Sequence, residues 1–307
     1  MQKLFYILVT NSVVLISYLI VQIEKENMNV LTVDYTANDA AERFVESLHK
    51  TGFGVLTNHP IAKEKVQGIY DTWYQFFMDE AKNDFLFNPE TQDGYFPPSV
   101  SEKAKGHSVK DIKEFFHCYP WGKMPENLKE QVMEYYDLAN GLAQELLGWI
   151  EEYAPQEVKA KFTQSLPSMV EGSDGTLLRV LHYPPMTGEE EPGAIRAAAH
   201  GDINLLTILP AANEPGLQVI ASDGSWYDVP CDFGNIIINI GDMLQEASGG
   251  YYPSTIHRVI NPTGARSTQS RISLPLFLHP KPEVVLSDRY TADSYLDERL
   301  RELGVKK

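Results

Sequence analysis

Two histidines and an aspartate in this chain are spaced so that they can share one metal ion. His200 and Asp202 are separated only by Gly201, and His257 lies well downstream. In an extended chain residues two apart point to the same face, so His200 and Asp202 can reach one ion together while another strand delivers His257. Two neutral imidazoles and a carboxylate on one face of an octahedral ion leave three positions open, an arrangement that suits iron(II) and oxygen chemistry. A zinc hydrolase could use the same ligands with a bound water. His-x-Asp alone is a weak signal, and a second pattern sharpens it. In Arg271-Ile272-Ser273, alternation again puts a guanidinium and a hydroxyl on one face, where they can grip a carboxylate. A carboxylate grip beside an open metal site favours an oxygenase over a hydrolase.

These side chains need strands to carry them. After Gly175 the chain reads as short β-like runs between turns, at 176–183, 197–200, 205–209, 216–220, 235–240, 255–260 and 271–278. That spacing predicts a jelly roll, whose two facing sheets can aim side chains from several strands into one mouth. Upstream the texture is helical. Asn38 and Asp39 are good N-cap residues, Ala41, Phe44, Val45 and Leu48 recur on one face, and Gly52 ends the helix. Residues 53–56 suit a strand, 61–78 return to helical spacing, and Pro125 opens the longest helical pattern, which runs to about Tyr153. Residues 82–123 are rich in Gly, Pro, Asp and aromatics and read as a long loop region with short strands, the kind of region that carries specificity.

Several ordered motifs together resemble the isopenicillin N synthase-like family of 2-oxoglutarate/iron(II) dioxygenases over most of the chain after Met28. They are His200-Gly-Asp-Ile-Asn-Leu-Leu-Thr-Ile-Leu, Asn239-Ile-Gly-Asp-Met-Leu, Ser254-Thr-Ile-His257-Arg-Val and Arg271-Ile-Ser273-Leu-Pro-Leu-Phe. Upstream, Gly52-Phe-Gly-Val, Gly94-Tyr-Phe-Pro, Asp111-Ile-Lys-Glu-Phe-Phe and Arg179-Val-Leu-His-Tyr183-Pro-Pro also look like the family. The resemblance implies an α+β fold, a double-stranded β-helix (jelly-roll) core with an N-terminal helical region. It implies Fe(2+) held by His200, Asp202 and His257, with 2-oxoglutarate and O2 as co-substrates and the C5 carboxylate of 2-oxoglutarate on Arg271 and Ser273. Tyr183 would face the pocket and touch substrate or co-substrate, or else be a core tyrosine. Arg179 would share its face and either orient substrate or pair with an acidic neighbour. Leu181 stands where relatives often have a polar residue, which weakens any transfer of a detailed co-substrate network. The other histidines, at 49, 59, 107, 117, 182 and 279, read as structural or solvent-facing.

The implied reaction is oxidative decarboxylation of 2-oxoglutarate coupled to oxidation of a small-molecule substrate, by hydroxylation, desaturation or ring closure. Three alternatives stay open: an ethylene/succinate-forming enzyme, an iron oxidase that does not use 2-oxoglutarate, and a non-catalytic jelly roll that binds a small acid. A formal net charge of -16 argues against a nucleic-acid partner. Cys118 and Cys231 lie in no CxxC pair and read as free thiols, which fits a reducing cytoplasm. Residues 4–23 carry no charge and are long enough to cross a bilayer, so they read either as a membrane anchor or as the product of a start placed upstream of Met28. The expected organisation is an apolar segment at 1–27, a mostly helical region at 28–174, the catalytic core at 175–285 and a helical tail at 286–307.

Overall fold

The computed structural model describes residues 30–100, 111–212 and 215–306. The apolar segment at 1–27 and His107 therefore lie outside the described residues. In chain order, β1 (Thr32–Asp34) leads to helix α1 (Ala40–Thr51), β2 (Phe53–Thr57) and α2 (Lys63–Met78). β3 (Gly94–Phe96) and β4 (Glu114–Cys118) follow, then α3 (Glu126–Tyr153), α4 (Gln156–Lys159) and α5 (Leu166–Val170). The strand-rich half comprises β5 (Leu177–Tyr183), β6 (Ala197–His200), β7 (Leu206–Pro210), β8 (Leu217–Ile220), β9 (Trp226–Asp228) and β10 (Ile236–Ile240). Helix α6 (Asp242–Ala247), β11 (His257–Val259), β12 (Arg271–Ser273), β13 (Leu276–Leu278) and α7 (Ala292–Glu302) complete it.

The strands form two sheets. The larger runs β1-β2-β10-β7-β13-β5-β4-β3, with β12 also paired to β5, and the smaller runs β6-β11-β8-β9. Between them lies a core drawn from both sheets, including Phe53, Val55 and Ile237 on one side and Ala197, Val219 and Val259 on the other. Two facing sheets of this kind are the double-stranded β-helix expected of the sequence. The outer face of the larger sheet is covered by α1, α2 and α3, whose apolar stripes join the main core through Phe44, Leu48, Trp73, Phe77, Leu142 and Leu146. Among the described residues no helix is long and apolar enough to cross a membrane.

Local sequence explains most of the boundaries. Phe44, Val45 and Leu48 are buried on one face of α1, and Gly52 ends it in the left-handed region at φ 71. A Cβ at Gly52 would lie 2.4 Å from Thr255 Oγ1 and 2.5 Å from Pro253 O, so the chain also needs glycine there for close packing. Asp39 stands at the N-cap of α1, but its side chain makes no cap hydrogen bond, because its backbone (φ -103, ψ 12) lacks the extended conformation that aims the oxygen at the first turn. Two expectations need correction, and two strands, β1 and β9, go beyond the expected set. The run 271–278 is two strands, since Pro275 has no N–H for the ladder and its carbonyl instead accepts from Arg179 N at 2.9 Å. β1 and β9 are three-residue strands too short to show a period. Asp202 lies beyond the end of β6, so strand alternation is not what brings it to His200.

Candidate metal and co-substrate site

His200 and His257 are direct cross-strand neighbours. β6 and β11 are antiparallel with His200 opposite His257, and the two rings lie 4.5 Å apart. Phe53 packs edge-on against His257 at 5.5 Å, fixing the ring from the larger sheet. Each imidazole also has its Nδ1 against a backbone carbonyl two residues earlier: His200 on Ala198 O at 2.7 Å and His257 on Thr255 O at 3.1 Å. A carbonyl only accepts, so Nδ1 carries the hydrogen and the lone pair of each ring sits on Nε2. Those nitrogens lie 3.8 and 3.7 Å from Asp202 Oδ1.

Asp202 is placed by the loop between the two sheets and by the start of α6. Asp242 N donates to Asp202 O at 2.7 Å, and Met243 N donates to Asn204 O at 3.1 Å. This contact needs glycine at 241, where a Cβ would lie 2.1 Å from Asn204 O. The other carboxylate oxygen, Oδ2, accepts from Thr207 Oγ1 at 2.6 Å and from Asn239 Nδ2 at 2.8 Å. Thr207 and Asn239 are themselves cross-strand partners on β7 and β10. The larger sheet therefore holds Oδ2 and leaves Oδ1 facing the two imidazoles of the smaller sheet.

The electrostatics agree with a metal-binding role. Burial alone would raise the Asp202 carboxyl, but the two imidazoles and the hydrogen bonds from Asn239 and Thr207 outweigh it and hold it below its ordinary value. His200 is partly open to solvent at the site mouth. The surrounding protein still desolvates its cation, and His257 adds like-charge repulsion, so it is pushed down to about 4. At neutral pH Asp202 is thus anionic and His200 neutral, the states in which they can ligate. Among the described residues His200, Asp202 and His257 form the one group of three such side chains, with ligand atoms within 4.8 Å of one another.

A buried cation stands on the larger sheet. On β12, Arg271 is opposite Tyr183 and Ser273 opposite Leu181 of β5. Arg271 is 7% exposed, and its Nε and Nη1 find no hydrogen-bond partner in the protein. Guanidinium N–H groups left without a partner at that depth are costly unless a ligand satisfies them, and a carboxylate is a group suited to accept from them. Ser273 is also buried, at 5% exposed. Tyr183 belongs to an apolar cluster with Phe96, Phe115 and Leu181, and its ring centre is 5.7 Å from the Arg271 guanidinium. It is therefore a core tyrosine that also flanks Arg271.

Arg179 sits beside His117 and Phe115. Its Nε donates to His117 Nε2 at 2.9 Å and its guanidinium lies 4.5 Å over Phe115. Sequence reading missed Thr207 and the role of Asn239. Both lie on strands in the regular alternation, and nothing local distinguishes a polar side chain that supports a ligand from one that only pairs across a sheet. It also missed Arg196, 1% exposed, which donates through Nη2 to Gln269 O at 3.1 Å and whose guanidinium lies 5.7 Å from the Tyr183 ring centre.

Comparison with known proteins agrees with this geometry. Residues 175–280 match the 2OG-Fe(II) oxygenase superfamily, and residues 28–138 match the N-terminal region of non-haem dioxygenases in morphine synthesis. A 2-oxoglutarate-Fe(II) type oxidoreductase of Emericella nidulans is 33% identical, over 78% of this chain and 74% of that one. A crystal structure from Shewanella oneidensis, described as an oxygenase, is 68% identical with a TM-score of 0.83, covering 91% of this chain and all of that one. A 2OG-Fe(II) oxygenase family protein from Caulobacter crescentus is 30% identical with a TM-score of 0.75, covering 90% and 99% of the two chains. The chain belongs to the 2-oxoglutarate/iron(II)-dependent oxygenases, enzymes that use Fe(2+), 2-oxoglutarate and O2.

Proposed function

We propose that this enzyme oxidises a C–H bond of a small molecule, with His200, Asp202 and His257 holding Fe(2+) and with Arg271 and Ser273 holding the C5 carboxylate of 2-oxoglutarate. The observation that carries the reading is the buried Arg271, whose Nε and Nη1 have no hydrogen-bond partner among the described residues. Iron(II) and 2-oxoglutarate, when bound, reduce dioxygen to give succinate and CO2, with the second oxidising equivalent spent on the substrate. The chain's own work is positional. Ala198 O and Thr255 O set the imidazole tautomers, and Thr207 and Asn239 hold Asp202 in one orientation. Tyr183, beside Arg271, limits where the co-substrate's tail can lie.

In this reading residues 28–174 support the core of 175–285, and 286–307 form a tail. Two free thiols, Cys118 and Cys231, fit a cytoplasmic setting. The test is turnover of 2-oxoglutarate by the iron-loaded protein. One succinate should form per 2-oxoglutarate consumed, and formation should cease in His257→Ala and in zinc-loaded protein. Iron-dependent oxygen uptake without succinate would replace this reading with that of an oxidase that does not use 2-oxoglutarate.

A further inference from the structure

The strand that carries Arg271 and Ser273 is short. Among the described residues β12 pairs with β5 alone; it is three residues long and follows a 3-10 turn at Gly264–Thr268. On the face of the larger sheet opposite Arg271, a buried polar chain reaches the residue just before it, Ser270. Glu114 of β4 is 5% exposed and accepts from Lys82 Nζ at 3.1 Å and from the Tyr95 hydroxyl. Its Oε1 lies 2.7 Å from His182 Nδ1, and His182 Nε2 lies 3.1 Å from Ser270 Oγ, immediately before Arg271.

Sheet register explains the assembly: Glu114 is opposite His182, and His182 is opposite Ile272. Desolvation works against the Glu114 carboxylate, but the bonds from His182, Tyr95 and Lys82 overcome it and hold its pKa below the ordinary range. His182 is 1% exposed and stacks on Phe77 of α2 at 5.3 Å. With Nδ1 bonded to the Glu114 carboxylate, Nε2 is aimed at the Ser270 hydroxyl. The result is a rigid peg from the helical layer to the head of β12.

We propose that Glu114, His182 and Ser270 are positioning residues for co-substrate binding. By pinning the head of β12 they fix where the Arg271 guanidinium sits. The inference rests on the reading that Arg271 holds the distal carboxylate of 2-oxoglutarate. A bidentate grip depends steeply on placement, so a strand freed at one end loses affinity without losing the charge. Beyond its pairing with β5, the strand is held by Ile272, which is buried in the main core.

The test measures binding of 2-oxoglutarate to the anaerobic, manganese-loaded full chain by calorimetry, with manganese affinity and thermal unfolding measured alongside. Ser270 is only half-buried, so Ser270→Ala is expected to fold. It should weaken 2-oxoglutarate roughly three- to tenfold, the effect of one lost hydrogen bond transmitted to the grip. Ser270→Thr should restore affinity, and manganese affinity should stay within about twofold of the original in both variants, a range set by a difference well below one hydrogen bond. Pyruvate offers the 2-oxo acid but no distal carboxylate, and its binding should not change. Equal weakening of pyruvate or manganese would overturn the proposal in favour of a general structural role, as would unchanged 2-oxoglutarate affinity in Ser270→Ala. Arg271→Met separates the two levels. If it leaves 2-oxoglutarate binding intact, the underlying assignment of Arg271 fails; if it abolishes binding while Ser270→Ala has no effect, only the positioning role fails.

Discussion

Replacing Thr207 with valine removes one hydroxyl from the support of the metal centre and keeps the shape of the side chain. Thr207 is 2% exposed, and its Oγ1 donates to Asp202 Oδ2 at 2.6 Å. A hydrogen bond to a charged group contributes about 1.5–3 kcal/mol. Loss of an outer partner of a metal ligand typically weakens metal binding by about 10–100-fold, and the two ranges agree because 1.4 kcal/mol is a factor of ten. Asn239 still donates to the same oxygen at 2.8 Å, so Asp202 should keep its orientation in part and the loss should fall near tenfold, the lower end of that range. Asn204 Nδ2 keeps Leu206 O at 2.9 Å but loses its 3.0 Å contact with Thr207, so one of its two buried N–H groups is left without that acceptor and some loss of stability should accompany the loss of metal affinity. The assay is competitive anaerobic titration of metal-free protein with iron(II) or manganese(II). Adding Asn239→Ala should cost more than the sum of the single changes, because Oδ2 would then be buried without a protein partner. Native metal affinity in a folded Thr207→Val protein would refute the reasoning, since Asp202 would then be either not a ligand or oriented by something else.

Other consequences follow from the same geometry. Arg271→Met should weaken 2-oxoglutarate binding by at least about 100-fold, because a buried charge partner is lost. The ligand-free variant should unfold at the same temperature as the native protein or higher, because a buried cation with two N–H-bearing nitrogens left without a partner has been removed; a clear fall in Tm would show that Arg271 is a stabilising element. Gly241→Ala should lower both metal affinity and Tm, since its Cβ would meet backbone at 2.1 Å and must push the Asp202–Asn204 loop from α6; unchanged metal affinity would mean that the loop does not set the Asp202 position. His200 and His279 are both pushed by desolvation from 6.5 down to about 4. Between those values the unfolded chain binds protons that the folded chain refuses, so stability of the metal-free protein should fall as pH drops from about 6.5 and be level above it with respect to these groups. Thermal unfolding from pH 7 to pH 5 checks the sign, and His279→Asn should flatten the slope.

What could be read from sequence was what repeats or clusters locally. Phe44 and Leu48, with Gly52 behind them, marked α1, and Pro125 marked the start of α3. The pairs His200 with Asp202 and Arg271 with Ser273 were visible because function places both members close along the chain. What was hidden depends on contacts between distant segments. The Asp202 position is set by the N–H groups of α6 and by a cross-strand pair of polar residues, Thr207 and Asn239, rather than by strand alternation. His182 gave no ligand spacing and indeed lies away from the metal ligands, yet its two bonds to Glu114 and Ser270 exist only because β4, β5 and β12 lie side by side. The break at Pro275 was legible in principle, since proline cannot donate to a ladder, but an apolar run reads as continuous when hydropathy alone is followed.

The most direct test of the central claim is to add 2-oxoglutarate anaerobically to the iron(II)-loaded protein and record the visible spectrum. Chelation of iron(II) by a 2-oxo acid gives a weak metal-to-ligand charge-transfer band. The account predicts that band in the native protein, its loss in His200→Ala, and its appearance only at much higher 2-oxoglutarate in Arg271→Met. Iron bound at native stoichiometry with no band at any 2-oxoglutarate concentration would contradict the account.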